Sequence, residues 1–300
     1  MKKKKNLLSL YIHWPYCISK CPYCDFNSHV NETVDIDLWI KSYTNQIYQM
    51  KEDIKKYNLN YDGLTSIFFG GGTPSLMPLR IIESILNTSL KMFNFNDNIE
   101  ISLEANPSSY ETKKFVDLKK LGVNRISIGA QSLNSRNLKF LGRLHNVNDI
   151  TRSLNHTTKI FNNVSADLMY TFYGQDLDLW INELETFIKN FDLQHISLYQ
   201  LTIEKGTKFF TDYKRGVIQL MDDDLAADFY TKTNLILNNY NFNRYEVSNY
   251  SKLNFECKHN LSYWNSDNWI GIGPGAYGRI WSSKSMFERV EYQNYKNPKS

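Results

Sequence analysis

Cys17, Cys21 and Cys24 crowd into the stretch YCISKCPYCDF, and the chain has one further cysteine, Cys257. Three thiols this close can form a disulfide with one to spare, work as a redox pair, or hold a metal or iron–sulfur centre. A secreted disulfide framework goes with a short chain, a higher and even cysteine count and a signal peptide. The apolar run after the lysine-rich start is too short for a signal peptide, and no apolar run approaches the ~20 residues of a membrane span. A cytoplasmic, reducing setting is therefore expected, where clustered thiols hold metal or do chemistry. The lysines at positions 2–5 read as a solvated tail ahead of the first strand.

CPYC alone matches a C-x-x-C redox pair, but that chemistry leaves Cys17 without a role. Structural zinc takes four ligands, usually as two separated pairs, and Cys17, Cys21, Cys24 and His29 supply that number without that separation. A 4Fe–4S cubane usually takes four cysteines. Three thiolates would hold three of its corners and leave the fourth iron open, as catalytic metal sites keep a position for an outside ligand.

Whatever the cysteines hold, repeated strand–helix units must position them. Apolar, β-rich runs begin at Leu8, Thr65, Ile99, Arg125, Val164 and His195, at intervals of 26 to 57 residues, which leaves room each time for a helix and two loops. That rhythm predicts βαβ units with a parallel sheet. Ile36, Trp39, Ile40, Tyr43, Ile47 and Met50 recur at helical spacing. Ser108 and Glu111 have capping-box spacing ahead of a helix closing at Gly122. A further helix is expected over 222–239, followed by a strand at RYEVSNY. In parallel αβ barrels chemistry gathers at the C-terminal ends of the strands. Here those ends carry the cysteines, GGGTP, Glu104, Gln131, Asp167, and Tyr199 with Gln200.

Composition agrees with an enzyme-sized globular chain: 300 residues, 42% hydrophobic and 22% charged, are enough for one αβ barrel. The net charge of +4 is spread along the chain, so no nucleic-acid surface is indicated. The reading divides the chain into a barrel core over 1–250 and a C-terminal segment over 251–300.

The spacing C-x3-C-x2-C after the first strand resembles the radical S-adenosylmethionine (SAM) superfamily. YIHWPYCISKCPYCDFNSH, FFGGGTPS, LEANP, RISIGAQS, LGRLHN and ADLMY together resemble the anaerobic coproporphyrinogen III oxidase family, and within it the heme-chaperone branch. The resemblance covers roughly residues 8 to 278. It implies an α/β fold, a partial TIM-like (β/α)6 radical SAM barrel with a short C-terminal extension. It also implies a 4Fe–4S cluster on Cys17, Cys21 and Cys24, with SAM bound through its amino and carboxylate groups to the open iron and cleaved by one electron to a 5'-deoxyadenosyl radical. Carried over by motif, Tyr11 and Tyr23 belong to the cluster and SAM region. Gly71, Gly72 and Thr73 would lie along the methionine moiety, and Glu104, Gln131, Arg143 and Asp167 would contact SAM. These types suit the task, since glycines admit close backbone approach and arginine pairs with carboxylates. An ordinary βα turn and an ordinary ion pair would also explain the glycines and Arg143.

Two places divide the family. The oxidases resembled here carry a fourth cysteine two positions after the third, where this chain has Phe26, so coproporphyrinogen III oxidation becomes the alternative reading. A metal-binding or redox module without SAM chemistry is a third. The segment CKHNLSYW contains H-N-x-x-Y-W, which resembles the heme-associated motif of the chaperone branch and implies heme as a ligand at His259, with Cys257 and Tyr263 as secondary candidates. The implied partners are heme and a heme-acceptor protein, membrane-associated acceptors included. In WIGIGPGAYG, Gly271, Gly273 and Ala276 with Glu291 satisfy a dinucleotide-fingerprint count, but the residues after them show no helix pattern to open a βαβ unit. In the resembled family this segment is a loop beside the SAM adenine, with Ala276 and Tyr277 at the contact. Members of that family continue into a further C-terminal domain, and the chain is expected to end within its start.

Overall fold

The computed structural model describes residues 6–30, 33–59, 61–281 and 289–298. The lysine run at 2–5 and part of the segment after the glycine loop, 282–288, lie outside the described residues. Six parallel strands stand side by side in chain order: Leu7–Trp14, Gly63–Gly71, Phe95–Ala105, Arg125–Gln131, Val164–Tyr170 and His195–Gln200. They contain all six runs expected from sequence. Because each strand lies next to its predecessor, the connecting helices fall on one side and the sheet curls toward the other, giving the partial barrel.

Alternation along the strands separates the two faces. Leu8, Leu10, Ile12, Ile67, Phe69, Ile101, Leu103, Ile126 and Ile128 are buried in one continuous core with helix residues such as Tyr43, Ile47, Ile82 and Ile85. The intervening residues face the lumen, where the register aligns Ser9 with Ser66, Ser66 with Glu100, Ser102 with Arg125, Glu104 with Ser127 and Asp167 with Ser197. Closed TIM barrels fill this space with branched aliphatics; here it is polar.

Two expected elements differ in detail. The helix expected after Ser108 is two short ones, Ser109–Thr112 and Phe115–Lys120. Ser108 does accept from the Glu111 N–H at 3.2 Å, but the Glu111 carboxylate turns inward, accepting from Ser75 Oγ and from the Asn106 N–H. RYEVSNY yields strands Asn243–Arg244 and Asn249–Ser251, the latter antiparallel to the sixth strand. Beyond residue 250 the chain stays with the same sheet. Strand Asn268–Ile272 runs parallel to the first strand on its outer edge, and Tyr277–Trp281 and Arg289–Gln293 continue antiparallel from it.

Candidate functional site

The first strand ends in an aromatic anchor. The Trp14, Tyr16 and Trp39 rings meet pairwise with centroids 5.2 to 5.7 Å apart, and the Tyr43 ring lies tilted against Trp39 while its hydroxyl donates to the His13 carbonyl at 2.6 Å. The helix Ile36–Lys56 thus pins the strand just before Cys17 leaves it. The glycines at the end of the second strand complete the clamp. Gly72 N–H donates to the Trp14 carbonyl at 2.6 Å and Thr73 N–H to the Tyr16 carbonyl at 2.9 Å. Gly71 lies at φ +112°, and a Cβ there would meet the His13 ring at 2.6 Å; one on Gly72 would meet the Tyr16 carbonyl oxygen at 2.8 Å. Close backbone approach is indeed why these positions are glycine, but the neighbour approached is the cysteine segment itself.

Polar contacts then tie the loop to the other strand exits. Thr73 Oγ1 donates to Cys17 Sγ at 3.3 Å and accepts from Asn106 Nδ2 at 3.3 Å. Arg143 donates to Cys21 Sγ and the Tyr23 hydroxyl, both at 3.3 Å, and to the Asn106 side-chain oxygen and the Gly129 carbonyl. A fork of planar donors reaches four partners at once, which a lysine could not do. Gln131 takes φ +69°, a left-handed backbone rare outside glycine, beside a register shift in its strand.

These elements enclose a cavity of about 470 Å³, within the size range of cofactor pockets. Cys17, Cys21, Tyr23, Cys24, Gly71, Gly72, Thr73, Glu104, Gln131, Arg143 and Asp167 all line it. At its floor, burial first and the nearby Asp167 second push the Glu104 carboxyl up to about 8, against a hydrogen bond from the Gly71 backbone. Burial also raises Asp167, opposed by hydrogen bonds from Ser197 and Ser127. Glu104 can therefore hold a proton that an incoming cation would displace.

The donors suit an iron–sulfur cluster. All three loop cysteines are free thiols. Burial pushes the Cys17 and Cys24 thiols up, so their thiolates call for metal charge, as metal-coupled deprotonation supplies. Among the described residues Arg143 Nε is buried with no hydrogen-bond partner, alongside the Cys21 contact. Among the described residues no three His, Cys, Asp or Glu side chains converge on a single ion, and His29 is exposed and bonded to Asn27. That gives no support to one zinc shared by His29 and the cysteines, whereas a multi-iron cluster takes each thiolate at a separate corner.

Four expected site residues lie outside the cavity lining. Tyr11 points into the lumen below it, its hydroxyl on His13 Nδ1 at 3.2 Å. His259 is buried, with its ring stacked on Phe68 and Tyr11. Its Nδ1 meets Ser66 Oγ at 3.0 Å and its Nε2 the Tyr263 hydroxyl at 2.7 Å. Since the Ser66 hydroxyl donates onward to Ser9 Oγ, the network places the imidazole proton on Nδ1 and makes Nε2 the acceptor. Burial holds this histidine down at about 3. Ala276 is buried and Tyr277 is exposed on the strand that follows the glycine loop. Tyr199, named at a strand end, lines the cavity as well, whereas Asn106 and His145 line it without having been singled out as site residues. Asn106 is the hub between Thr73 and Arg143, and its only sequence signal was its place in LEANP after a strand-end carboxylate.

Comparison with known proteins agrees with this geometry. Residues 11–186 match the profile of the radical SAM superfamily. The heme chaperone HemW of Buchnera aphidicola is 39% identical over 91% of this chain and 70% of its own length; that of Haemophilus influenzae is 38% identical over 97% and 75%. The mitochondrial radical S-adenosyl methionine domain-containing protein 1 of Danio rerio is 38% identical, and the chain spans 60% of its length. Among solved structures, coproporphyrinogen III oxidase (HemN) of Escherichia coli superposes with a TM-score of 0.77 over 98% of this chain and 68% of its own, at 20% identity, which shows a shared fold. Membership in the superfamily implies a 4Fe–4S cluster and SAM, the groups that the cavity's donors fit. By its profile match, and by its identity to bacterial relatives of which it covers 70 to 75%, this chain belongs to the HemW family of the radical SAM superfamily.

Proposed function

We propose that the chain is a heme chaperone of the radical SAM type, working in the cytoplasm, which takes up heme and passes it to an acceptor protein, membrane-associated acceptors included. Among the described residues no helix is long and apolar enough to cross a membrane. The observation that carries the reading is the pairing of 38–39% identity to proteins named heme chaperones with Phe26 at the cavity edge. Phe26 stands 58% exposed where the oxidases resembled in sequence carry a cysteine.

In this proposal Cys17, Cys21 and Cys24 would hold the cluster, and the cavity they line would take SAM. When bound, the cluster supplies the electron for SAM cleavage. Arg143 keeps Cys21, Tyr23 and Asn106 in register and offers positive charge to the SAM carboxylate. Thr73 orients Cys17, while Gly71 and Gly72 seat the loop. Glu104, Asp167 and Gln131 would receive the ribose and sulfonium. Heme is cargo, and Nε2 of His259, the nitrogen without the proton, is the proposed axial ligand. To bind iron it must part from the Tyr263 hydroxyl. Tyr263→Phe should therefore tighten heme binding, read from the Soret band, and His259→Ala should abolish that gain.

One experiment separates the chaperone from the oxidase. Reconstituted, reduced protein with SAM is offered either heme or coproporphyrinogen III under anaerobic conditions. The proposal predicts a heme complex that donates to an apo-hemoprotein and no protoporphyrinogen. Turnover of coproporphyrinogen III would replace this reading with the oxidase.

A further inference from the structure

The loop that follows Cys24 is fastened at one residue to two distant parts of the chain. The His13 Nε2–H donates to the Asn27 carbonyl at 2.9 Å. The Asn27 side-chain Nδ2 donates to the Pro274 carbonyl and to the Lys296 carbonyl, each at 2.9 Å. The site is built from the other side as well. Gly275 lies at φ +77°, and a Cβ there would meet Asn27 Nδ2 at 2.6 Å. The glycine loop is bracketed by Gly275 N–H on the Tyr295 carbonyl and Asn294 N–H on the Ala276 carbonyl.

We propose that Asn27 is a positioning residue for the third cysteine, through which the C-terminal glycine loop sets the conformation of the cysteine loop. The turn it holds is the one that surrounds Cys24. Ser28 N–H donates to the Phe26 carbonyl at 2.7 Å, and the Ser28 hydroxyl lies 3.9 Å from Cys24 Sγ. Lys20 Nζ also reaches the Phe26 and Ser28 carbonyls, each at 3.4 Å. His13 in turn holds the Tyr11 hydroxyl, and the Tyr11 ring stacks on His259. The glycine loop and the helix Lys258–Trp264 thus both contact the cysteine loop's supports, although Ala276 and Tyr277 stand outside the cavity. This inference rests on the cluster reading for its consequence, not for its geometry.

Asn27→Asp is the informative variant, because it keeps the shape but replaces the donor with an acceptor at neutral pH. Hydrogen–deuterium exchange on the apoprotein should show residues 24–29 and 273–276 exchanging at least tenfold faster, together. After reconstitution, SAM affinity, followed by the change it induces in the reduced cluster's electron paramagnetic resonance, should fall at least tenfold. Gly275→Ala, which attacks the clasp from the glycine loop, should give the same paired exchange. Wild-type exchange in either segment, or unaltered SAM affinity in Asn27→Asp, would overturn the proposal. If the wild type fails to assemble a cluster, the radical SAM reading falls and the exchange result alone decides the clasp.

Discussion

Arg143 and Glu104 carry the sharpest single-residue consequences. Arg143 reaches Cys21, Tyr23, Asn106 and Gly129 through one planar group. Arg143→Lys keeps the charge but loses the fork, so SAM binding, measured by equilibrium dialysis, should weaken at least tenfold. Glu104 holds its proton up to about 8. Binding a sulfonium to the carboxylate form must then release that proton, so affinity should rise ~tenfold per pH unit from pH 6 toward 8 and level off above. Glu104→Gln should make the profile flat; a wild-type profile without slope would remove Glu104 from the sulfonium's surroundings. The sequence showed Glu104 at a strand end and pointed to Arg143 only through the family resemblance, and it showed the wiring of neither. Asn106, the hub between Arg143 and Thr73, is an ordinary asparagine before a proline until the third and fourth strands are brought together.

At the scale of elements, the cysteine loop is held by what lies beneath it. Trp39 packs against Trp14, Tyr16 and Tyr43 and is 9% exposed. Trp39→Ala should cost about 3–5 kcal/mol in denaturant unfolding and lower cluster occupancy, although no atom of Trp39 lines the cavity. The six strands were legible because β-rich apolar runs and helical periodicity are local signals. The glycines were legible only in part: their type announced a close approach, but Trp14 and Tyr16, the approaching neighbours, come from a different strand. The split helix after Ser108 was hidden for the same reason, since Glu111 is drawn to Ser75 from another element.

Across the whole molecule, the unusual feature is a polar lumen closed off beside buried histidines. His259 is held at about 3, and burial with Arg125 nearby holds His195 well below its usual range. Unfolded histidines titrate near ~6.5. Below that value the unfolded chain binds more protons, so stability should be full above pH 6.5 and drain away as pH falls toward 3. A folded His259→Gln protein should show a shallower loss; an equal slope in chemical denaturation would show that His259 does not drive it. Periodicity alone could not reveal this layer, because Ser66, Ser9, His259 and Tyr263 meet only when the segment after residue 250 returns to the first strand. The three-thiolate centre sits at the top of the barrel, where the cysteine loop lines the cavity. Its most direct test is electron paramagnetic resonance of the anaerobically reconstituted, reduced protein with and without SAM. A 4Fe–4S signal should appear, shift on adding SAM and vanish in Cys17→Ala, Cys21→Ala and Cys24→Ala proteins; a signal indifferent to SAM, or one that survives those changes, would rule out the three-thiolate site.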